Sequence, residues 1–383
     1  MKNVFLSKNT GKFPEKNIKI HDTTLRDGEQ MPGVVLKPEE KLILAGKFLD
    51  FGVDMIDIMP SVSEREAMLA RELVAMDRDK ISATCRLKKE DIDQAIELGV
   101  KQIVLFTPLS DIHLEYKLKI SRGENIRRAC EFIDYAKEHG LTVDLAGEDS
   151  TRADMDYLLL FIKSIDSKIR TFFVADTVGC LTPKRTYSFI SALRKKTKCK
   201  IGLHIHNDFA MATANTLEGL RAGADVFSGT FTGIGERAGN APIEEVCTAL
   251  KYLYDIYLDV KYSKIKEICD LVEKFSGVAL QAHKPIVGKN AFCHESGIHA
   301  DGVIKNPRTY EFIDPEDIGH ERRFSFGKHS GRNVIKHVID DASESEIDDI
   351  LKKIKHLSES EKITFTEDDV TFIFKECRKM VQH

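Results

Sequence analysis

Short β-rich apolar runs alternate with helix-period segments up to about residue 231, and this alternation constrains the fold more than any other feature. The runs are 18–21 (IKIH), 53–59 (VDMIDIM), 80–84 (KISAT), 102–106 (QIVLF), 141–146 (LTVDLA), 169–175 (IRTFFVA), 200–206 (KIGLHIH) and 224–231 (ADVFSGTF). Segments with helical spacing lie between them, among them 39–51, 124–138 and 212–222. Gly52, Gly99, Gly140 and Gly223 each follow a helical segment and precede a strand. That is the position where a left-handed residue ends a helix. Strand–helix alternation predicts parallel β with crossover helices. Eight such units in about 240 residues is the arithmetic of a (β/α)8 TIM barrel, an α/β fold. An open doubly wound sheet is the competing architecture, and no glycine-rich phosphate turn follows the first run to support it.

The pattern changes beyond about residue 260. Residues 264–281, 331–356 and 366–382 read as helical, and 285–330 as loop-rich. The expected organisation is a flexible leader over 1–17, the barrel over 18–262, and a small C-terminal α-rich appended region of helical and linker subdomains over 263–383.

The 383 residues are 42% hydrophobic and 31% charged, with a net charge of −4, which is an ordinary globular balance. There is no basic tract for nucleic acid and no apolar run near the ~20 residues of a membrane span. The lysine-rich N-terminus lacks the apolar core of a signal peptide. None of the eight cysteines forms a C-x-x-C pair, so reduced thiols and a cytoplasmic location are expected.

In such a barrel, chemistry belongs at the C-terminal ends of the strands. The residues that follow the runs are polar and ionisable. His21 to Glu29 follow the first, Cys85 and Arg86 the third, Glu148 and Asp149 the fifth, and Asp176 and Thr177 the sixth. The seventh ends in His204, His206, Asn207 and Asp208, and GIGERAGN (233–240) follows the eighth. Side chains alternate along a strand, so His204 and His206 point the same way, into the mouth. An H-x-H pair plus a carboxylate from another strand makes one face of a divalent-metal site. Asp27 is the natural carboxylate. The plainer reading, two histidines bonded to backbone carbonyls, suits an isolated histidine better than this pair. Arg26 beside Asp27 suits a substrate oxygen, although a surface pair with Glu29 is the simpler alternative. Glu148 and Asp149 read equally well as a solvated turn. The glycine-rich loop with Glu236 and Asn240, and the loop histidines His294 and His299, are weak signals when taken alone.

Together these motifs resemble the 2-isopropylmalate synthase/homocitrate synthase family of metal-dependent barrels. The resemblance runs from about residue 18 to 335. It rests on TTLRDGEQ with Lys41, DTVG (176–179), HIHND (204–208), GERAGN (235–240), HESGIHADG (294–302) and GKHSG (327–331). The stretches 85–93, 108–114, 148–154 and 207–217 look most like the short bacterial homocitrate synthases of nitrogen fixation, and at this length no C-terminal leucine-regulatory domain is expected. The resemblance implies a Claisen condensation of acetyl-CoA with a 2-oxo acid, followed by thioester hydrolysis. It implies one divalent metal (Mg, Mn or Zn) on Asp27, His204, His206 and Asn240. Arg26 would lie against the keto oxygen, Thr177 on the acceptor carboxylate, Glu148 at the reacting centre and Glu236 near acetyl-CoA. His299 and Tyr310 would reach over the mouth of a neighbouring subunit, in a homodimer with exchanged C-terminal regions. His299, tuned by Glu148, is the candidate base.

The acceptor stays open at this level. A distal carboxylate, as in 2-oxoglutarate, needs a cation or several donors, and Arg86, Ser61, Ser63 and His113 are candidates. An apolar slot for 2-oxoisovalerate could use Met59, Met211 and Phe106. Citrate formation from oxaloacetate is a third outcome. Ala210-Met211-Ala212 and DIMPSVSE (57–64) depart from the family pattern near this pocket. Outside the synthases, a CoA-thioester lyase would need a cysteine in the loop 233–240, where none stands. An inactive barrel would have lost Asp27 or the histidines, and a metal-dependent aldolase would have no use for HESGIHADG.

Overall fold

The computed structural model describes residues 13–14 and 17–381. Most of the leader expected over 1–17 lies outside the described residues. The chain divides into two compact units, Met1–Ala279 and Leu280–His383.

In the first unit, eight parallel strands close into a barrel in sequence order. They are β1 (Lys19–Asp22), β2 (Met55–Ile58), β3 (Ile81–Arg86), β4 (Gln102–Pro108), β5 (Thr142–Glu148), β6 (Thr171–Asp176), β7 (Lys200–Ile205) and β8 (Val226–Gly229). A helix follows each in turn: α1 (Pro38–Phe51), α2 (Glu64–Met76), α3 (Lys89–Glu97), α4 (Arg122–Glu138), α5 (Met155–Ile165), α6 (Pro183–Arg194), α7 (Ala212–Arg221) and α8 (Ile243–Tyr254). β1 closes the ring by pairing Lys19–Asp22 with Val226–Gly229. The eight apolar runs are therefore the eight strands, and the expected α/β barrel is the fold.

Both faces of these strands are buried, so they read as near-continuous apolar runs. Ile103, Leu105, Leu145 and Leu203 are fully buried on one parity. On the other, Val104, Phe173 and Val226 form a cluster with Ala146 that fills the barrel. Gly202 makes room for it, because a Cβ there would overlap the Phe173 ring. Gly52 ends α1 with φ 110, and a Cβ there would lie 2.8 Å from the Asp259 carbonyl oxygen.

Helix α9 (Ile265–Ser276) buries Ile265, Ile268, Cys269 and Val272. This stripe packs on α1, so the helix belongs to the barrel unit and not to the second unit.

The second unit holds a two-stranded pair, β9 (Cys293–His294) with β10 (Arg323–Phe324). Its helices are α10 (Gly297–Lys305), α11 (Arg332–Val338), α12 (Glu344–Glu361) and α13 (Glu367–Val381). They share a core that includes Phe326, Val334, Ile335, Ile350, Ile354 and Phe374. The helical reading of 331–356 resolves into two helices. Ser343 accepts from the Glu346 N–H and the Glu346 carboxylate accepts from the Ser343 N–H, a capping box that starts α12 afresh. Among the described residues, no helix is long and apolar enough to cross a membrane, and all eight cysteines are unpaired.

Candidate active site

A cavity of about 410 Å³ takes lining residues from all eight strands, including His21, Asp57, Thr84, Phe106, Glu148, Ala175, His204 and Ser228. Arg26, Asp27, Thr177, His206, Glu236 and Arg237 complete its rim.

The turn after β1 aims the first pair. Thr23 O accepts from the backbone N–H of Arg26, Asp27 and Gly28 at 3.1, 2.9 and 3.1 Å. Arg26 Nη1 then donates to Asp27 Oδ2 at 2.8 Å, and its Nε to Asp57 Oδ2 at 2.9 Å. Asp57 is itself held by the Thr84 hydroxyl at 2.7 and 2.9 Å. The guanidinium is thus fixed between two carboxylates, with the rest of its five N–H donors uncommitted to them.

His204 and His206 face the same side of β7, ring centroids 5.0 Å apart and nearly perpendicular. His204 Nδ1 lies 3.2 Å from the Ser228 hydroxyl, and Nε2 lies 3.5 Å from Asp27 Oδ2. Asn240 pairs with His206 through a backbone bridge. Its Nδ2 donates to Asp27 Oδ1 at 2.7 Å. Asn240 Oδ1 and His206 Nδ1 are buried without a partner among the described residues. One ligand atom each from Asp27, His204 and His206 falls within 4.8 Å of the others. A carboxylate, two imidazoles and an amide oxygen form a donor set suited to a divalent cation, and two orphaned acceptors are what such an ion satisfies. Burial works to raise the Asp27 carboxyl, but the Arg26 charge and the His204 hydrogen bond outweigh it and hold the group well below the usual range. Burial, with His204 beside it, lowers His206 to about 4, so its imidazole is neutral and ready to ligate.

Lys117 Nζ reaches both Glu148 oxygens, at 2.7 and 2.8 Å. It stands on a π turn, Leu114–Leu118, that ends at left-handed Lys119 (φ 56). His113 Nδ1 lies 3.4 Å from Glu148, too long for a strong bond. Thr177 Oγ1 accepts from the Asp149 N–H at 2.8 Å, leaving the hydroxyl hydrogen to donate. Arg237 (φ 57) pairs with Asp208 Oδ1 at 2.9 Å, beside Glu236.

The structure does not bring every expected residue to the cavity. Arg86 is captured by Asp91 on α3, through Nε and Nη2 at 2.7 Å each, and Ser61 sits in the turn after β2; neither lines the cavity. Met59 and Phe106 line it, and Met211 does not. Asp57 and Lys117 are lining residues that sequence reading passed over, and His21 is one it named without giving it a task. Asp57 is hidden inside the apolar strand MIDI, and only its position of the inward parity marks it.

In the second unit, the His299 and Tyr310 rings lie 4.1 Å apart between centroids. Next to Tyr310, the buried Glu311 carboxylate accepts from His294 Nε2 at 2.9 Å and from Arg322 at 2.6–3.0 Å. Gly302 leaves room for Tyr310, since a Cβ there would lie 2.8 Å from its ring.

A family described as HMGL-like matches residues 17–272, and one described as homocitrate synthase post-HMGL domain-like matches 286–362. A protein of Methanopyrus kandleri, provisionally named a 2-isopropylmalate synthase, is 46% identical over 352 residues, 90% of this chain and 70% of that one. Homocitrate synthase AksA of Methanothermobacter thermautotrophicus is 42% identical over 90% of each chain. A second protein of that organism, 45% identical over 88% of this chain and 68% of its own, carries the provisional name (R)-citramalate synthase CimA. The solved HMG-CoA lyase of Bacillus subtilis, 22% identical, shares the fold with a TM-score of 0.63 over 71% of this chain and 97% of that one. The chain therefore belongs to the HMGL-like family and, within it, to the metal-dependent, acetyl-CoA-using 2-oxo acid synthases that include 2-isopropylmalate, citramalate and homocitrate synthases.

Proposed function

We propose that the chain is a homocitrate synthase, condensing acetyl-CoA with 2-oxoglutarate and hydrolysing the thioester formed. The observation that carries the condensation is the convergence of Asp27, His204 and His206 beside a fixed Arg26, with Asn240 Oδ1 and His206 Nδ1 unpaired. The acceptor assignment is supported by the likeness of residues 85–93, 108–114, 148–154 and 207–217 to short homocitrate synthases. It is also supported by polar groups among the cavity's lining: Lys117, Gln30 and His21.

A divalent cation (Mg, Mn or Zn) held by Asp27, His204, His206 and Asn240 would supply Lewis-acid polarisation of the acceptor's keto group. Thr177 donates its hydroxyl hydrogen to the acceptor's C1 carboxylate. Arg26 places positive charge where the keto oxygen becomes an alkoxide. The acetyl methyl is a weak carbon acid, so a positioned base is required. His299 takes the methyl proton, with the Tyr310 ring tilted against it, and both are contributed across a homodimer. Exposed Ile298, Tyr310 and Phe312 support such a contact. The enolate carbon bonds to the keto carbon, and the alkoxide formed takes up a proton to become the tertiary hydroxyl, while Glu148, steadied by Lys117, stands at the reacting centre and Glu236 at the acetyl-CoA end. Water then cleaves the thioester, releasing the CoA thiol and a new carboxylate. A cytoplasmic location is supported by the eight unpaired cysteines.

The test is acetyl-CoA-dependent thiol release by the Mn- or Mg-loaded protein with 2-oxoglutarate, 2-oxoisovalerate, oxaloacetate and pyruvate. The expected preference is 2-oxoglutarate. Preference for 2-oxoisovalerate, for which Met59, Val104, Phe106 and Phe173 offer an apolar wall, would make it a 2-isopropylmalate synthase; oxaloacetate would make it citrate-forming. No release with any acceptor would overturn the condensation in favour of a CoA-thioester lyase or an inactive barrel.

A further inference from the structure

One buried polar group in the cavity has no part in the condensation as derived. His21, on β1, is 3% exposed, lines the cavity, and among the described residues has a hydrogen-bond partner on neither ring nitrogen. Its ring lies against Phe173, centroids 5.1 Å apart. In register, His21 stands beside Ser228 on β8 and Met55 on β2. Ser228 is already engaged by His204, and the Thr84 hydroxyl by Asp57. The remaining interior neighbourhood holds the apolar Val104, Ala146 and Phe173 and the carboxylates of Asp57 and Asp144, which act on the ring through space but are bonded to Arg26 and Arg170 instead. A buried imidazole with both nitrogens unpaired is a costly choice unless something arrives to bond it.

We infer that His21 recognises the far end of the acceptor, donating a hydrogen bond to an oxygen on the 2-oxo acid's side chain and so selecting a dicarboxylic 2-oxo acid over an alkyl one. The inference rests on the reading of the site as a 2-oxo acid synthase and deepens its acceptor assignment. Neutral or protonated, an imidazole offers an N–H, and a carboxylate is the strongest acceptor a 2-oxo acid side chain can bring. An alkyl acceptor would press methyl groups against two unsatisfied nitrogens. A site built to hydrogen-bond its ligand rejects the analogue that lacks the bonding group far more strongly than an apolar slot rejects an extra polar group. The signal is distinct from the Claisen machinery, since His21 is neither among the converging ligand atoms nor bonded to Arg26.

The experiment compares wild type, His21→Leu, His21→Phe and His21→Asn in metal-loaded thiol-release assays with 2-oxoglutarate and with 2-oxoisovalerate. Calorimetric binding of each oxo acid without acetyl-CoA runs in parallel. His21→Leu is expected to lower kcat/KM for 2-oxoglutarate about 100-fold or more, mainly through KM, while 2-oxoisovalerate changes by less than about threefold. His21→Asn, which keeps a donor, should recover about tenfold of that loss. Should His21→Leu fail to fold by its melting curve, His21→Phe supplies the apolar arm. A preference ratio within about threefold of wild type in the apolar variant would overturn the role of His21 and leave the homocitrate reading standing. Wild-type preference for 2-oxoisovalerate would overturn both. If no acceptor turns over, the condensation falls, and the calorimetric ratio of the two oxo acids, changed or unchanged by His21→Leu, decides the role of His21 by itself.

Discussion

Asn240 Nδ2 donates to Asp27 Oδ1 at 2.7 Å, joining residues 213 positions apart in the chain. The bond fixes which way the amide points, so its oxygen is left buried and unpaired with His206 Nδ1. Asn240→Ala should weaken Mn²⁺ binding about 10–100-fold in a calorimetric titration. Asn240→Asp, which keeps an oxygen, should recover part of the affinity. Unchanged affinity in Asn240→Ala would remove Asn240 from the ligand set.

Gly235 has φ 154, and a methyl group on it would overlap Asn240 Nδ2 and come within 2.9 Å of Asp27 Oδ1. Gly235→Ala is expected to fold, keep the barrel's circular dichroism and lose Mn²⁺ affinity at least as severely as Asn240→Ala. Normal affinity in this variant would show that the loop can give way.

The lowered His206 predicts an acid-sensitive apo protein. Its folded value is about 4 against 6.5 for a free histidine, so between these limits the unfolded chain binds more protons than the folded one. The associated stability is fully present above pH 6.5 and lost as pH falls towards 4, with ~3 kcal/mol at stake. His206→Asn should flatten the fall of denaturation midpoint over that window, and a parallel fall in both proteins would refute the assignment.

Arg26→Lys keeps the charge but cannot bond Asp27 and Asp57 together. One carboxylate then loses its guanidinium hydrogen bond while keeping Thr84 or Asn240, which costs about 1–3 kcal/mol. The expected outcome is a clear drop in melting temperature and a kcat lowered about 100-fold or more, with KM for acetyl-CoA little changed. A kcat within about threefold of wild type would place Arg26 in a purely structural role.

In the second unit, Glu311 holds His294 and Arg322 next to Tyr310. Glu311→Gln should cost about 1–3 kcal/mol of stability by leaving Arg322 under-bonded. If Tyr310 and His299 serve the reaction, kcat should fall about tenfold while calorimetric binding of the 2-oxo acid stays unchanged. Loss of binding without loss of kcat would contradict that division.

The barrel was legible because its strands are buried on both faces and separated by helices with glycine stops; Gly52 and Gly99 take φ 110 and 77 as their positions predicted. His204 and His206 were legible because strand parity decides where they point, and Asp27 because it follows the end of the first strand. Arg86 was misleading for the same reason. It stands at a strand end, but Asp91, five residues on in the next helix, reaches it first. Lys117 lay beyond sequence reasoning because its direction depends on a π turn and on one left-handed residue, neither of which has a strong local signature. His21 looked like one more strand-end residue. What sets it apart is the lack of a bonding partner, which only the packed interior reveals.

The candidate metal ligands straddle the joint where the barrel ring closes. Asp27 follows β1, Asn240 follows β8, and those two strands make the final pairing of the ring. A nascent chain that has emerged only as far as β6 carries Asp27 alone, with an open sheet edge. A cation held by the finished set would act as a clasp on the contact that closes the barrel ring. It would favour the closed ring by mass action and offset the entropy of joining ends so far apart in sequence. Metal supply would then govern how the newborn chain matures as well as how the mature one turns over.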